Sequence, residues 1–157
     1  MIPVVQASIF VSWCHRDVTA KDDLLDRLHL GTLADVEITS WQDSDLRIGE
    51  NWEGRILDQL AACDYGLLLL SPAFFASSYI LTKELPRLLG PDADKVLPVM
   101  LRRVELDGSR RLYGVDARQI YTGAGGRSFT ETRGASRERF ALGLASEIRR
   151  RILADAA

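Results

Sequence analysis

Residues 66–70 read GLLLL, a run without one polar side chain, and Ser71-Pro72 follows at once. A strand that is apolar at every position needs cover on both faces, which restricts the chain to a sheet sandwiched between helices. Ser71 offers a hydroxyl to cap free amides, and Pro72 suits the first position of a helix. A second helix start stands at Ser77-Ser78, after which Leu81, Leu85 and Leu88 form one apolar stripe. Glu84 lies beside that stripe, so its carboxylate leaves the helix at the edge of the buried face. Pro86 lacks an amide hydrogen, and the turn around Glu84 is therefore early in its helix or kinked. An acid at the rim of a core, just past the carboxyl end of a buried strand, stands where open α/β sheets put their ligands.

The remaining segments repeat this alternation. Residues 7–12 (ASIFVS) read as a first buried strand and 13–19 as a polar loop. Residues 22–30 read as a helix with Leu24, Leu25 and Leu28 facing inward, ended by Gly31. Residues 36–41 give a second strand, and 42–50 (QDSDLRIGE) a polar loop containing Ile48 and Gly49. Trp52, Ile56 and Leu60, four apart, predict the buried stripe of the next helix. After the strand at 65–70, residues 95–101 (KVLPVML) form a fourth, whose Pro98 points to a less central position or a bulge. A loop at 104–114 precedes a short fifth strand at 118–121 and a Gly-, Ser- and Thr-rich loop at 122–134. The last helix spans 136–153, with Phe140, Leu144, Ile148 and Ile152 every four residues. Five such alternations predict an α/β, flavodoxin-like fold: a five-stranded parallel sheet in the order 2-1-3-4-5, with helices on both faces. The ligand crevice then opens between strands one and three, framed by residues 12–19, 42–50 and 71–79, with Glu84 overlooking it.

A length of 157 residues fits a single domain with its own core. The net charge of −2 gives no electrostatic reason to expect direct nucleic-acid binding. The charge is unevenly placed: residues 1–109 hold 10 basic and 17 acidic side chains, and residues 110–157 hold 10 basic and 5 acidic. This difference reads either as a solvated basic last helix or as a surface complementary to the acidic part of another copy or to an anionic ligand. Cys14 and Cys63 form neither a disulfide framework nor a metal pattern. With no signal peptide and no long apolar run, a cytoplasmic location without a membrane partner is expected.

Several chemistries drop out on residues. A phosphate-accepting receiver needs an acid at the end of strand three, where this chain has Leu70-Ser71. Neither GxGxxG after strand one nor GxxxxGK[ST] is present, so neither glycine-rich phosphate cradle is available. The GAGG at 123–126 follows a weak strand and reads as a flexible loop. Cys14-His15 are sequence neighbours, which seldom aim at each other, and no third group orients the histidine. His29 reads as a helix-end residue, and two distant histidines do not argue for a metal.

Three segments, IFVSWCHRD, ITSWQDSDLRIGENW and LLLLSPAFFASSYILTKELP, in this order and spacing, resemble the TIR domain (Toll/interleukin-1 receptor/resistance) of the prokaryotic, NAD-consuming type. The resemblance covers nearly the whole chain. It implies cleavage of the nicotinamide–ribose bond of NAD⁺, with NAD⁺ as substrate and no prosthetic group, in prokaryotic immune defence. The family's catalytic group is a glutamate on the third helix, and Glu84 stands at that place. Some members carry tryptophan four residues ahead of the acid, where this chain has Ile80, with Tyr79 five ahead. The resemblance implies substrate contacts from Ser12, Trp13, Arg16 and Tyr79. Asp43, Ile48 and Gly49 belong to a loop that the family uses as a flap over the site and as a contact between subunits. Trp52 reads as core, near enough to shape the pocket. Activation by assembly with other TIR domains as a homo-oligomer is implied, as is a sensor region or a separate sensor partner. Two other readings stand beside this one: a non-catalytic scaffold that binds other TIR domains, and an enzyme that transfers a nucleoside base.

Overall fold

The computed structural model describes residues 3–42, 48–90 and 95–157. Its first strand, β1 (Val5–Ser12), leads through a short 3-10 turn at His15–Asp17 into helix α1 (Val18–Leu28). Strand β2 (Val36–Trp41), helix α2 (Trp52–Ala62) and strand β3 (Tyr65–Leu70) follow. The central stretch then forms α3 (Pro72–Phe75), a π-helical turn at Ile80–Glu84 and α4 (Leu85–Leu88). Strand β4 (Val96–Met100) and the long helix α5 (Ala135–Ala156) complete the chain.

All strand pairs are parallel, in the order β2-β1-β3-β4, with Val5 opposite Val36, Ile9 opposite Tyr65 and Gly66 opposite Val96. This is the α/β arrangement of the flavodoxin-like class. Alternate residues of the buried strands feed two cores, as a period of two requires. Ile9, Val11, Leu67 and Leu69 meet Leu24 of α1 and Phe140, Leu144, Ile148 and Ile152 of α5. Phe10, Leu68 and Leu70 meet Ile56 and Leu60 of α2 and Leu85 and Leu88 of α4. Gly66 has a steric reason: a Cβ there would stand 2.7 Å from a methyl of Leu88, so its absence lets α4 lie close on β3.

The expected fifth strand does not form among the described residues. Tyr121 alone makes a parallel bridge to Val99, donating to the Pro98 carbonyl at 2.8 Å and accepting from Met100 at 2.9 Å. The next rung of that ladder would run from the amide of residue 98 to the carbonyl of residue 119, and proline has no such amide. Pro98 thus occupies an edge strand, and its missing donor faces away from β3. Other boundaries shift as well. Helix α1 begins four residues earlier than periodicity indicates, and it ends at His29, which takes the left-handed conformation (φ 47°) that was expected of Gly31. Histidine is among the non-glycine residues that enter this region most often.

Tyr65, buried in β3, donates to Asp155 near the end of α5 at 2.6 Å. Burial, together with this bond to a carboxylate, pushes its phenol up to about 12. The Arg149 guanidinium of α5 grips Asp35 ahead of β2 at 2.5 and 2.8 Å, and Arg137 reaches Asp23 of α1 at 2.8 Å. Part of the basic charge of the last helix is therefore matched within the chain.

Candidate functional site

The site begins with the helix that follows β3. Pro86 cannot supply an amide hydrogen, and its ring presses on the carbonyl one turn earlier. The hydrogen bonding shifts by one residue: Leu85 N–H donates to Ile80 O, five positions back. A π turn of this kind changes the phase of the helix, and such turns concentrate at functional sites. Ile80 rather than Leu81 takes the fully buried position, and Glu84 turns inward with it, only 8% exposed. Here the structure departs from the simple leucine stripe.

At the end of β1, Ser12 is buried, and its Oγ donates to Glu84 Oε1 at 2.7 Å. The acid thus stands at the floor of a cleft of about 520 Å³. One wall is Trp13, Cys14 and His15, with the Trp13 and His15 rings 5.0 Å apart. The other wall is Trp52 and Ile56 of α2 with Ser77, Tyr79 and Ile80, where the Trp52 and Tyr79 rings meet at 5.4 Å. The volume and the mainly aromatic and apolar lining, with one convergent acid, are those of a small-molecule site.

Two buried charged groups hold the first wall in place. Lys21 is 3% exposed; its Nζ sits 4.1 Å from the centroid of Trp13 and donates to Gln42 at 2.8 Å as well as to Asp22. This cation–π contact fixes the indole from behind. Asp17, also 3% exposed, accepts from Ser71 Oγ and from Arg102 Nε, the latter at 2.9 Å. It joins the loop after β1 to the loops after β3 and β4. Ser71 at the same time caps α3, accepting from Phe74 N at 2.9 Å. The sequence offered no separate sign of this role: Asp17 fell within the polar loop expected at 13–19, and although it directly precedes α1 its side chain makes no cap bond there.

Of the residues singled out from sequence, Trp13, Tyr79 and Glu84 line this cleft, and Ser12 is joined to it through its bond to Glu84. Arg16 is exposed and does not line it, nor do Ile48 and Gly49, both exposed, Gly49 with φ 89°. Asp43 lies outside the described residues. Trp52 corrects a reading: it is 54% exposed rather than core. The stripe it begins is real at Ile56 and Leu60, but the ring of Trp52, the first residue of α2, meets Tyr79 at the surface instead of the interior. Cys14, His15, Ser77 and Ile80 also line the cleft; the polar WCHRD loop and the Ser77-Ser78 helix start were visible, but not that their side chains converge.

A further hollow of about 440 Å³ lies at the outer edge of β4 beside α5, away from Glu84. Among the described residues no cluster of His, Cys, Asp and Glu is suited to a metal ion. No helix there is long and apolar enough to cross a membrane. Residues 9–129 match the family model described as TIR domain. No curated protein matches the chain.

Proposed function

The chain belongs to the TIR-domain family, and on that footing we propose that it is an NAD⁺ glycohydrolase or cyclase that cleaves the nicotinamide–ribose bond. The observation that carries this reading is Glu84, turned into an aromatic cleft by a π turn and held by Ser12 at 2.7 Å. Nicotinamide leaves NAD⁺ as a neutral molecule from a cationic ring, so the departing group needs no proton. One carboxylate then suffices, whereas ordinary glycoside hydrolysis needs two. As the bond stretches, the positive charge moves from the pyridinium to the ribose. The Glu84 carboxylate faces that charge or holds the ribose hydroxyls. A preorganised group of this kind is worth about 3–4 kcal/mol, roughly 10²–10³ in rate. Water adding to the ribose carbon gives ADP-ribose, nicotinamide and a proton; attack by the adenine of the same molecule gives a cyclic product.

The aromatic walls suit the other end of the reaction. Trp13, Trp52 and Tyr79 give the cleft aromatic walls for a cationic ring, a cation–π attraction of about 0.5–2 kcal/mol where a ring face is reached, which is lost once nicotinamide becomes neutral. Ser12 directs the carboxylate and does not itself need to touch substrate. Ile48, fully exposed beside Gly49, suits the subunit-contact role of its loop. Assembly with other TIR domains, with low activity beforehand, and a role in prokaryotic immune defence complete the proposal.

The test is nicotinamide release from NAD⁺ by concentrated or artificially clustered protein. Glu84→Ala is expected to abolish release while the circular dichroism spectrum and melting temperature are retained. Equal turnover by the variant would remove Glu84 from the mechanism. Absence of release from clustered wild-type protein would favour the scaffold reading.

A further inference from the structure

Another hollow, of about 510 Å³, opens between α3 and the loop after β4, and Glu84 is not among its lining residues. Only one residue step separates it from the Glu84 cleft: Ser77 lines the cleft and Ala76 lines this hollow. Its rim is formed by Phe75 of α3 and by the loop after β4, which contributes Arg103, Arg110, Arg111 and Tyr113, with Glu105 as the acid of the lining. The loop is not loose. Val104, Leu112 and Val115 are buried in the core, and Arg118 donates to Gly114 O at 3.1 Å. The anchors fix the backbone and leave the cationic heads outside. Arg103 pairs with Glu131 at 3.1 Å, while Arg110 and Arg111 are exposed and form no salt bridge among the described residues, Arg110 acting on Asp107 only through the field of its charge.

Tyr113 adds an independent sign. It is half exposed and holds φ 54°, a left-handed conformation that is costly for a bulky side chain. Such strain persists where the surroundings enforce it, and it concentrates at ligand clamps. Here it keeps an aromatic ring at the lip of an arginine-lined hollow. Guanidinium forks match phosphate oxygens two at a time, and an aromatic face receives a planar base.

We infer that this hollow binds the diphosphate and base of a nucleoside diphosphate group, with Arg110 and Arg111 on the phosphates and Tyr113 against the base. Two sources share that chemistry: the distal half of a dinucleotide whose other half lies in the Glu84 cleft, and a free nucleotide. The binding itself does not depend on the proposed bond cleavage.

Isothermal titration with ADP at fixed ionic strength tests it, on wild type, on Arg110→Glu/Arg111→Glu and on Tyr113→Asn. Asparagine tolerates the left-handed region, so the last variant removes the ring without adding strain. The expected result is binding weakened about tenfold or more by the double change and about three- to fivefold by Tyr113→Asn, with melting temperatures retained. ADP binding that is undetectable in the wild type, or unaltered in both variants, would overturn the proposal. Repeating the titration on Glu84→Ala with saturating NAD⁺ separates the sources, since displacement of ADP identifies the dinucleotide and undisturbed binding identifies a separate nucleotide. A failure of nicotinamide release leaves this measurement intact, so the two readings stand or fall separately.

Discussion

Glu84 and Ser12 form a pair in which one group has the charge and the other its direction. A hydrogen bond to a charged partner is worth about 1.5–3 kcal/mol. Under the proposed function, in which the hydroxyl aims the carboxylate without binding substrate, Ser12→Ala is accordingly expected to lower kcat roughly ten- to a hundredfold while KM for NAD⁺ stays near its wild-type value. Steady-state nicotinamide release measures both constants, and a rise in KM at constant kcat would instead make Ser12 a substrate contact. At this scale the sequence was partly legible. Position and charge identified Glu84, and Ser12 stood at a strand end beside the expected crevice, but a bond between residues 72 positions apart has no signature in either segment. Arg16 shows the limit from the other side: a cation in a loop with no periodicity carries no mark of the direction it faces.

The turn at Ile80–Glu84 is the element on which the site depends. Pro86 forces the wide turn, and the wide turn exchanges Leu81 for Ile80 and carries Glu84 inward. Pro86→Ala restores a donor and removes the ring clash. Its expected outcome is a melting temperature equal to or above that of wild type, with nicotinamide release reduced at least tenfold as Glu84 rotates toward solvent. A variant that melts higher and retains full activity would show that the turn does not depend on the proline. The sequence disclosed the disturbance, since Pro86 predicts an early or kinked helix, but not whether the helix would break, bend or widen. β1, β3 and β4 were legible as short, mainly apolar runs between turns, and β2 by the alternation of Val36 and Ile38 with polar residues. The fifth was not, because Pro98 withholds one bond of a ladder between two segments of which only one was weak by itself.

Across the whole molecule, α5 is tied to the rest by paired acids. Arg27 and Arg137 hold Asp23 below the usual carboxylate range; Arg149 does so for Asp35, and the Tyr65 hydroxyl, with Arg151, for Asp155. An acid whose native value is depressed adds stability that is complete above its unfolded value, near 4. That contribution is lost as pH falls through the native value. Thermal melts are therefore expected to be flat from neutrality to about pH 5 and to fall below it. The alkaline limb has the opposite origin. Tyr65 holds its proton up to about 12 in the fold and releases it near 10 when unfolded, so stability declines between those values as pH rises. Tyr65→Phe should remove that part of the alkaline decline; an unchanged alkaline profile would place its cause elsewhere. The basic excess after residue 110 was plain in the sequence, but its division between partners inside the chain and groups left outward, such as Arg110 and Arg111, required the fold.

The hydroxyl of β1 meets the carboxylate beyond β3 only once those two strands lie side by side. A ribosome that has released the first half of the chain has made a serine with no acid to steer, and a chain cut between the two has the acid without its guide. The pairing therefore arrives only with the closed topology, once both β1 and the segment beyond β3 have left the ribosome and the strands between them have docked.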